Sequence, residues 1–332
     1  MSSANRSNLI LAVVTFFTLA LMLALLLMTR TTINLASVTT LALLLTAQLA
    51  LAIYCRVRGL SRLQPVVETT FLFLLLNLGL LPITYAGMRL GLPIADGWLS
   101  QMDHAMGFDW RAFVRWVDER PVLALVLFVA YSSFIVQLLI VPAYFALTGS
   151  VCRANAMVAA YAMIVIVSTA IGLWFPSEGT FHFYGIDQSQ LKNIDIHFAV
   201  AYLSEFNAVR SQPTFEIGFD HIQGLLTFPS VHVACAALCI WAAWGSRYLW
   251  MPVTTLNALM AVSAISHGGH FAVDAVGGVF LATACVALSK KLFGVPDAIM
   301  ARMSERMFWR EITEPRSRTR NAVAVVPSPA KG

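Results

Sequence analysis

The chain has 332 residues, of which 58% are hydrophobic and only 12% are charged, and its mean hydropathy is +0.74. Because globular domains carry roughly 25% charged residues, this composition excludes a soluble enzyme, a disordered protein and a nucleic-acid-binding protein. The pI near 9.1 does not indicate a nucleic-acid-binding face, because the 22 lysines and arginines are scattered along the chain. We therefore expect a multi-span membrane protein.

A helix needs about 20 apolar residues to cross the roughly 30 Å hydrocarbon core of a bilayer. The first apolar run is too long for a signal-peptide core, so we expect it to remain as an anchor. The seventh run is short and contains Asn257, which predicts a position inside the bundle. The predicted fold is therefore all-α, a polytopic transmembrane helical bundle of about eight spans. In chain order, the predicted spans are 9–29, 33–54, 66–88, 121–147, 155–175, 231–250, 252–267 and 270–289.

Three further segments lie outside these spans. Residues 97–117 combine several tryptophans with Asp and Arg, which predicts an amphipathic segment in the membrane interface, and residues 176–229 form a long loop. The tail is predicted to begin as a basic amphipathic helix on the inner leaflet and to be disordered from about Glu314. We expect an integral membrane domain over 1–292, with its catalytic core at about 121–290, and a cytoplasmic tail over 293–332.

The basic residues predict the orientation of the chain. With eight spans both termini lie on one side, which receives 15 of the 22 lysines and arginines but only 5 of the 17 acidic residues. The positive-inside rule identifies that side as cytoplasmic. The other side carries the long loops 89–120 and 176–229, and all seven histidines fall there or at helix ends that face it. We therefore look for chemistry at the periplasmic or extracellular face of a cell (inner) membrane.

The first candidate motif, Phe228-Pro229-Ser230-Val231-His232, leads directly into the sixth predicted span. Proline suits a first helical turn and serine suits an N-cap. The free N–H groups and the positive dipole end of a helix N-terminus bind anions, so Ser230 is a candidate for binding phosphate, with His232 beside it. The alternative interpretation is an ordinary helix start with an incidental interfacial histidine.

The second candidate motif, His267-Gly268-Gly269-His270, is followed by Asp274 at the start of the eighth span. His270 and Asp274 are four residues apart and share one helix face. A lone carboxylate in an apolar run is costly unless it is paired, so we expect a hydrogen bond from the His270 ring. That bond would leave the other ring nitrogen as a nucleophile or base; the alternative is a purely structural His–Asp pair.

The spacing joins the two motifs. His232 and His270 are 38 residues apart, enough for one helix, a turn and a returning helix. A transmembrane hairpin of that size brings the chain back to the same membrane face. We therefore expect His232, His270 and Asp274 to meet at the outer mouth of the bundle, at the depth of lipid phosphates.

These two motifs resemble those of the type-2 phosphatidic acid phosphatase superfamily, and in particular of the branch that contains inositol phosphorylceramide synthases and their bacterial relatives. Those proteins similarly carry a Phe-Pro-Ser-x-His element and a His-x-x-x-Asp element on successive helices. The resemblance covers roughly residues 205–285 and implies metal-independent phosphoryl transfer through a phosphohistidine. The resemblance also implies a role for each residue: His270 attacks phosphorus, Asp274 orients the His270 ring, and His232 protonates the leaving oxygen.

The chain departs from the wider signature of that family in its phosphate-binding cations. The family's arginine six positions before the second histidine is replaced by Ala264, and the lysine-led first motif is absent. Since a charged phosphoryl group needs a clamp, we take Arg210 as the candidate, with a solvated loop charge as the alternative interpretation. His267 and His221 are candidates for positions flanking the pocket.

The sequence predicts a membrane lipid-phosphate phosphatase, a phosphoric monoester or diphosphate hydrolase, whose substrate is a phosphorylated membrane lipid. The alternative is a phosphotransferase with the same intermediate, similar to inositol phosphorylceramide synthase; both share the first half-reaction. A lipid transporter is less favoured because no inverted repeat is visible. A zinc site at His232, His267, His270 and Asp274 is also less favoured, since the spacing is not His-Glu-x-x-His. We therefore expect no metal and no cofactor.

Overall fold

The computed structural model describes residues 3–295 and 298–313, which form a helical bundle with one pair of short parallel strands. The elements in chain order are α1 (Ser3–Thr29), β1 (Thr31–Ile33), α2 (Thr39–Val57), α3 (Leu63–Arg89), α4 (Asp96–Ala105), α5 (Trp110–Asp118), α6 (Pro121–Ser132), α7 (Phe134–Leu147), α8 (Val151–Gly172), α9 (Thr180–Tyr184), a single 3-10 turn (Gln188–Gln190), α10 (His197–Val200), α11 (Leu203–Ser211), β2 (Phe215–Ile217), α12 (Val231–Ala243), α13 (Trp250–Ser266), α14 (Ala272–Phe293) and α15 (Ala298–Thr313).

The predicted all-α polytopic class is confirmed. Five of the described helices, α1, α2, α3, α8 and α14, are long and apolar enough to cross a membrane. Helices α6 and α7 pass the same test together but meet at an angle of 55°, and α12 and α13 are shorter apolar helices. All eight predicted apolar runs thus correspond to helices. Five of these helices have the length and hydropathy expected of a span, and the number rises to six if the bent pair α6 and α7 counts as one span.

At two ends the predicted runs extend well beyond the observed helices. The run 33–54 begins too early, because Thr31–Ile33 forms β1 and pairs in parallel with Phe215–Ile217, so α2 starts only at Thr39. The run 231–250 ends too late, because α12 stops at Ala243. The Arg153 guanidinium donates hydrogen bonds to the carbonyls of Ala242 and Trp244, which satisfies acceptors that the ended helix leaves free.

Helix α8 lies at the centre of the bundle and contacts α1, α3, α7, α12 and α14. Its buried face is rich in alanine, including Ala156, Ala159 and Ala160. Small side chains let neighbouring helices approach closely, which is the usual mode of packing where lipid removes the hydrophobic driving force between helices. This central helix supports α12 and α14, the two helices that carry the candidate motifs.

The predicted interfacial segment 97–117 consists of two helices, α4 and α5, joined at Gly107, whose φ of 74° favours glycine. Each helix holds the loop 176–229 through a buried carboxylate. Asp96 accepts hydrogen bonds from the Ser177 hydroxyl and the Glu178 amide, and Asp118 accepts from the amides of residues 192–194. These helices therefore fix the loop 176–229 at two points.

The predicted helix of the tail is present as α15. Its Glu305 carboxylate is buried and accepts hydrogen bonds from the Ser246 hydroxyl at 2.7 Å, the Arg247 amide at 2.8 Å and the Tyr144 hydroxyl at 2.5 Å. The helix therefore docks on the connection between α12 and α13. The predicted disordered end from Glu314 lies outside the described residues.

Candidate active site

His270 lies in the tight connection between α13 and α14. Two glycines make that connection possible. Gly269 has a φ of 69°, and a Cβ on Gly268 would lie only 2.7 Å from the Ala264 carbonyl oxygen. Any larger residue would therefore push the turn outward, and the Gly-Gly pair is what allows His270 to follow α13 so closely.

Asp274 holds the His270 ring. Nδ1 of His270 is 3.1 Å from Oδ2 of Asp274, and the same oxygen accepts a hydrogen bond from the Phe271 amide at 3.1 Å. Both side chains are buried, and the other carboxylate oxygen, Oδ1, has no hydrogen-bond partner in the described part of the chain. The aspartate thus accepts from a backbone amide at the start of α14 and also orients the imidazole. The other ring nitrogen of His270, Nε2, does not contact Asp274.

A second carboxylate, Asp103 of α4, supports the same helix start. Its two oxygens accept hydrogen bonds from the amides of Ala272 and Val273 at 2.9 and 2.8 Å. Burial raises the pKa of Asp103, and these two backbone hydrogen bonds oppose that rise. Helix α4 therefore fixes the first turn of α14, which begins two residues after His270.

The first motif begins α12 and is joined directly to α14. Ser230 is the N-cap, with its hydroxyl accepting from the Val233 amide at 3.4 Å, and its own amide donates to the Asp274 carbonyl at 3.0 Å. A Cβ on Gly278 would lie 2.6 Å from the Ser230 carbonyl oxygen, so the two helices touch where α14 has no side chain. This contact brings the two motifs to one place.

His232 projects from the first turn of α12 into an aromatic sandwich. Its ring stacks on Tyr131, with centroids 4.4 Å apart and planes 13° apart, and packs against Phe134 at 4.3 Å. Tyr131 and Phe134 flank the 55° bend between α6 and α7, which turns both rings toward the same histidine. The rings of His232 and His270 are 6.3 Å apart, centroid to centroid. The two histidines that the spacing predicted to meet therefore do so.

Both histidines line a cavity of about 120 Å³. Its walls come from α3, α6, α7, α8, the α10–α11 connection and the loop before α12, and they are mainly aliphatic and aromatic. Among the residues that line it there is no lysine, arginine or carboxylate. The polar side chains other than the histidines are Thr84, Tyr131, Tyr161, Tyr202, Gln223 and Thr227.

Asp274, which contacts His270, and Ser230, whose hydroxyl caps α12, are not among the residues that line this cavity. Three further predicted site residues also lie outside the lining. Arg210 donates a hydrogen bond from Nη2 to the Leu92 carbonyl at 2.7 Å and lies over the Phe206 ring, so its guanidinium braces the α3–α4 connection. His221 is exposed and lies 3.2 Å from Asp220. His267 is buried, with Nδ1 2.9 Å from the Ser266 hydroxyl. None of the three reaches the space between His232 and His270.

Sequence reasoning missed the residues that shape the cavity. Tyr131 lies in an apolar run that indicates only a span, and Tyr202 lies in a loop without a motif. Asp103 could have been noticed, because it lies four residues after Leu99 on the buried face of an amphipathic helix. For the tyrosines no local signal exists, because their positions depend on the packing of distant segments.

A scan against protein-family models finds a match, described as the PAP2 superfamily, over residues 97–288. The matched range includes α4, α5, both motifs and every residue of the His232–His270–Asp274 cluster, and it covers more than half of the chain. The chain belongs to the PAP2 superfamily. No curated protein and no solved structure matches it significantly. Superfamily membership suggests lipid phosphatase or phosphotransferase activity, and a multi-pass membrane protein fits a membrane lipid phosphate as substrate.

Proposed function

We propose that this PAP2-superfamily protein cleaves a phosphate ester of a membrane lipid through a phosphohistidine at His270. The observation that carries the proposal is the pair of imidazoles lining one cavity, 6.3 Å apart, with one of them hydrogen-bonded to a buried aspartate. Among residues 3–295 and 298–313, no three His, Cys, Asp or Glu side chains are grouped to hold a metal ion. The proposed chemistry uses the side chains of His270, Asp274 and His232.

In the first step Nε2 of His270 attacks phosphorus. The hydrogen bond to Asp274 keeps the proton on Nδ1, so that the lone pair is on Nε2, and it stabilises the positive charge that develops on the ring. The N–P bond forms as the bond from phosphorus to the lipid oxygen breaks. His232 gives its proton to that oxygen, which leaves as an alcohol.

In the second step an acceptor hydroxyl attacks the phosphohistidine. His232, now without its proton, takes the proton of the attacking hydroxyl, and the P–N bond to His270 breaks. The acceptor decides the net reaction: water gives hydrolysis, and the hydroxyl of a second lipid or a polyol gives transfer. Hydrolysis, the reaction that the sequence favours, needs no dedicated acceptor site.

Transfer is a second candidate, and the walls of the cavity favour it. Leu80 and Leu81 of α3, Val165 of α8, and Leu225 and Leu226 line the space next to the histidines. Aliphatic walls suit a lipid chain better than bulk water. Transfer also agrees with the resemblance to the inositol phosphorylceramide synthase branch, and we propose that the chain belongs to that branch.

We further propose that the site faces the periplasmic or extracellular side of the cell membrane, with both termini in the cytoplasm. Both motifs lie at the same end of the bundle as the loops 89–120 and 176–229, away from most of the basic residues. The proposed division is a membrane domain over 1–292 with its catalytic core at about 121–290, and a cytoplasmic segment from 293.

The test incubates the purified full chain in lipid vesicles with a panel of lipid phosphates, with and without a lipid alcohol as acceptor. We expect free phosphate or a free phosphorylated headgroup in hydrolysis, and a new phosphodiester lipid in transfer. His270→Ala should abolish both, while His221→Ala, an exposed histidine of the outer loop, should match the wild type. A His270→Ala protein as active as the wild type would overturn the proposal.

A further inference from the structure

The cavity must hold an anion without any cation in its lining. A phosphate monoester carries a charge of about −1.5 to −2 at pH 7, and burying it among neutral groups is costly. A phosphodiester carries a single negative charge. The proton that His232 must carry to serve as the acid supplies one positive charge, which balances one negative charge but not two.

The hydroxyl donors of the cavity can be sorted by the acceptors to which they already donate. The Thr84 hydroxyl donates to the Leu81 carbonyl at 2.7 Å. The Thr227 hydroxyl donates to the Ser177 carbonyl at 2.9 Å. The Tyr161 hydroxyl donates to the Asn77 side chain at 2.9 Å. These three hydroxyls already donate to protein acceptors. The hydroxyls of Tyr131 and Tyr202 therefore remain as the phenolic donors for a ligand.

Tyr202 is the clearer case of the two. Its side chain is buried, yet its hydroxyl has no hydrogen-bond partner in the described part of the chain. A buried polar atom without a partner is costly, and its presence in the wall of a cavity points to a ligand. Burial, with a smaller contribution from Asp96, raises the pKa of Tyr202, and the nearby Thr227 hydroxyl only partly opposes that rise. The Tyr202 hydroxyl therefore keeps its proton and remains a donor.

Both hydroxyls lie against the turn that carries His270. A Cβ on Gly268 would lie 2.9 Å from the Tyr131 hydroxyl. A Cβ on Gly179 would lie 2.8 Å from the Tyr202 hydroxyl and 3.0 Å from the Gly269 carbonyl oxygen. The two phenols therefore approach the Gly268-Gly269 turn from α6 and from the α10–α11 connection, next to the nucleophile.

We propose that Tyr131 and Tyr202 form a neutral phosphate-binding site, whose hydroxyls donate to the non-bridging oxygens of a singly charged lipid phosphodiester. This inference rests on the proposed function. The two tyrosines take the place of the missing cations, and they select a monoanion over a dianion because they add no positive charge. The donor lipid is then a phosphodiester, which loses one ester bond to His270.

Binding is tested first in the His270→Ala background, where substrate is not consumed. Vesicle-reconstituted protein is titrated with two lipids of identical acyl chains, phosphatidylglycerol as the diester and phosphatidic acid as the monoester. We expect the Kd of the diester to be at least tenfold lower. Adding Tyr202→Phe should raise the Kd of the diester about tenfold, the usual effect of losing a hydrogen bond to a charged group.

Turnover is then compared in single variants of the otherwise unchanged protein. Tyr202→Phe and Tyr131→Phe should each raise the KM for the diester about tenfold. Tyr161→Phe, a tyrosine in the same cavity whose hydroxyl donates to Asn77, is the matched control and should change the KM less than threefold. An effect on the acceptor KM alone would assign these hydroxyls to the acceptor and overturn the proposal.

The remaining outcomes separate the two proposals. If the wild type binds and turns over the monoester better than the diester, and Tyr202→Phe changes neither Kd, the neutral site is wrong while the phosphohistidine chemistry stands. If His270→Ala keeps full activity, the proposed function fails whatever the tyrosine variants do. The binding titration gives a result even if neither lipid is turned over.

Discussion

The most apolar stretches of helices α8 and α2 have nearly the same mean hydropathy, 1.9 and 1.7, but they differ in how deeply they are buried in the bundle. In the most apolar stretch of α8, 72% of the residues are buried, whereas in α2 only 6% are buried. Helix α8 lies inside the PAP2-superfamily match at 97–288, and α2 lies before it. Hydropathy therefore locates both helices without telling which one supports the chemistry.

What distinguishes the two helices is the use of polar residues. The buried Asn155 of α8 exchanges hydrogen bonds with Ser7, Asn8 and Thr69, joining α8 to α1 and α3. Helix α2 contacts mainly α3 and presents leucines such as Leu43 outward. Between these extremes, α3 lies outside the match yet contributes Leu80, Leu81 and Thr84 to the cavity. The region before residue 97 therefore also forms part of the wall beside the two histidines.

The largest expected effect is at the centre of the matched region. Asp274→Asn should lower kcat by about 10²–10⁴-fold, because an amide no longer fixes the His270 tautomer or stabilises its developing charge. The measurement is turnover of lipid phosphate by vesicle-reconstituted protein, with far-UV circular dichroism to verify folding. A kcat within threefold of the wild type would show that the His–Asp pair is only structural.

The second effect separates the two uses of the Tyr131 ring. Tyr131→Phe keeps the ring that stacks on His232 and should raise KM while leaving kcat nearly unchanged. Tyr131→Leu removes the stacking as well and should lower kcat about three- to tenfold, since such aromatic contacts contribute about 0.5–1.5 kcal/mol. Steady-state kinetics of the pair check this. Equal kcat values for the two variants would contradict a positioning role of the stacked ring.

The convergence of the two histidines was predictable because it depends on period and spacing. His270 and Asp274 share a helix face, and 38 residues fit one helical hairpin. The eight apolar runs were found for the same reason, since length and hydropathy are local properties. The start of α2 at Thr39 was missed because the preceding residues pair with a strand far away in the sequence. The end of α12 at Ala243 was missed because its free carbonyls bind the distant Arg153.

The proposed phosphate-binding residues were not predictable in the same way. Arg210 was chosen because a phosphate needs a clamp and an arginine lies in the right loop, but its guanidinium binds the Leu92 carbonyl. Tyr131 and Tyr202 are 71 residues apart, and the packing of α6 against the loop 176–229 brings both to one cavity. Which donors have free protons is a property of the whole fold.

The third effect concerns the stability of the loop 176–229. Asp118→Asn should lower the free energy of unfolding by about 1–3 kcal/mol, because the carboxylate accepts amide hydrogen bonds from Lys192, Asn193 and Ile194. Activity per folded molecule should stay within twofold, since Asp118 is not in the cavity lining. Thermal unfolding in detergent and turnover at a temperature well below the transition measure the two quantities. A large loss of activity at unchanged stability would contradict this role.

The same carboxylate predicts a pH dependence. Burial works to raise the pKa of Asp118, but the backbone hydrogen bonds outweigh it and the pKa is lowered. A lowered pKa in the folded state means that its stabilisation is complete above the unfolded value of about 3.9 and is lost as the pH falls through the folded value. The difference in stability between wild type and Asp118→Asn should therefore shrink below about pH 4. A constant difference down to pH 2 would exclude the carboxylate as its source.

The smallest effects test the contrast between the two helices directly. Ala159→Leu on the buried face of α8 should lower the free energy of unfolding by about 1–3 kcal/mol through overpacking. Leu43→Ala on α2, where the leucine is 66% exposed, should change it by less than about 0.5 kcal/mol. Matched unfolding curves in the same detergent compare the pair. Equal losses would mean that α2 is packed in the membrane as tightly as α8.

Trapping the covalent intermediate tests the central claim most directly. Vesicle-reconstituted protein is mixed with a radiolabelled lipid phosphate, quenched at alkaline pH, digested and examined by mass spectrometry. The account predicts an acid-labile phosphoryl group on the peptide that contains His270, absent from His270→Ala and from protein without substrate. Turnover with no labelled peptide, or with the label on a different residue, would contradict it.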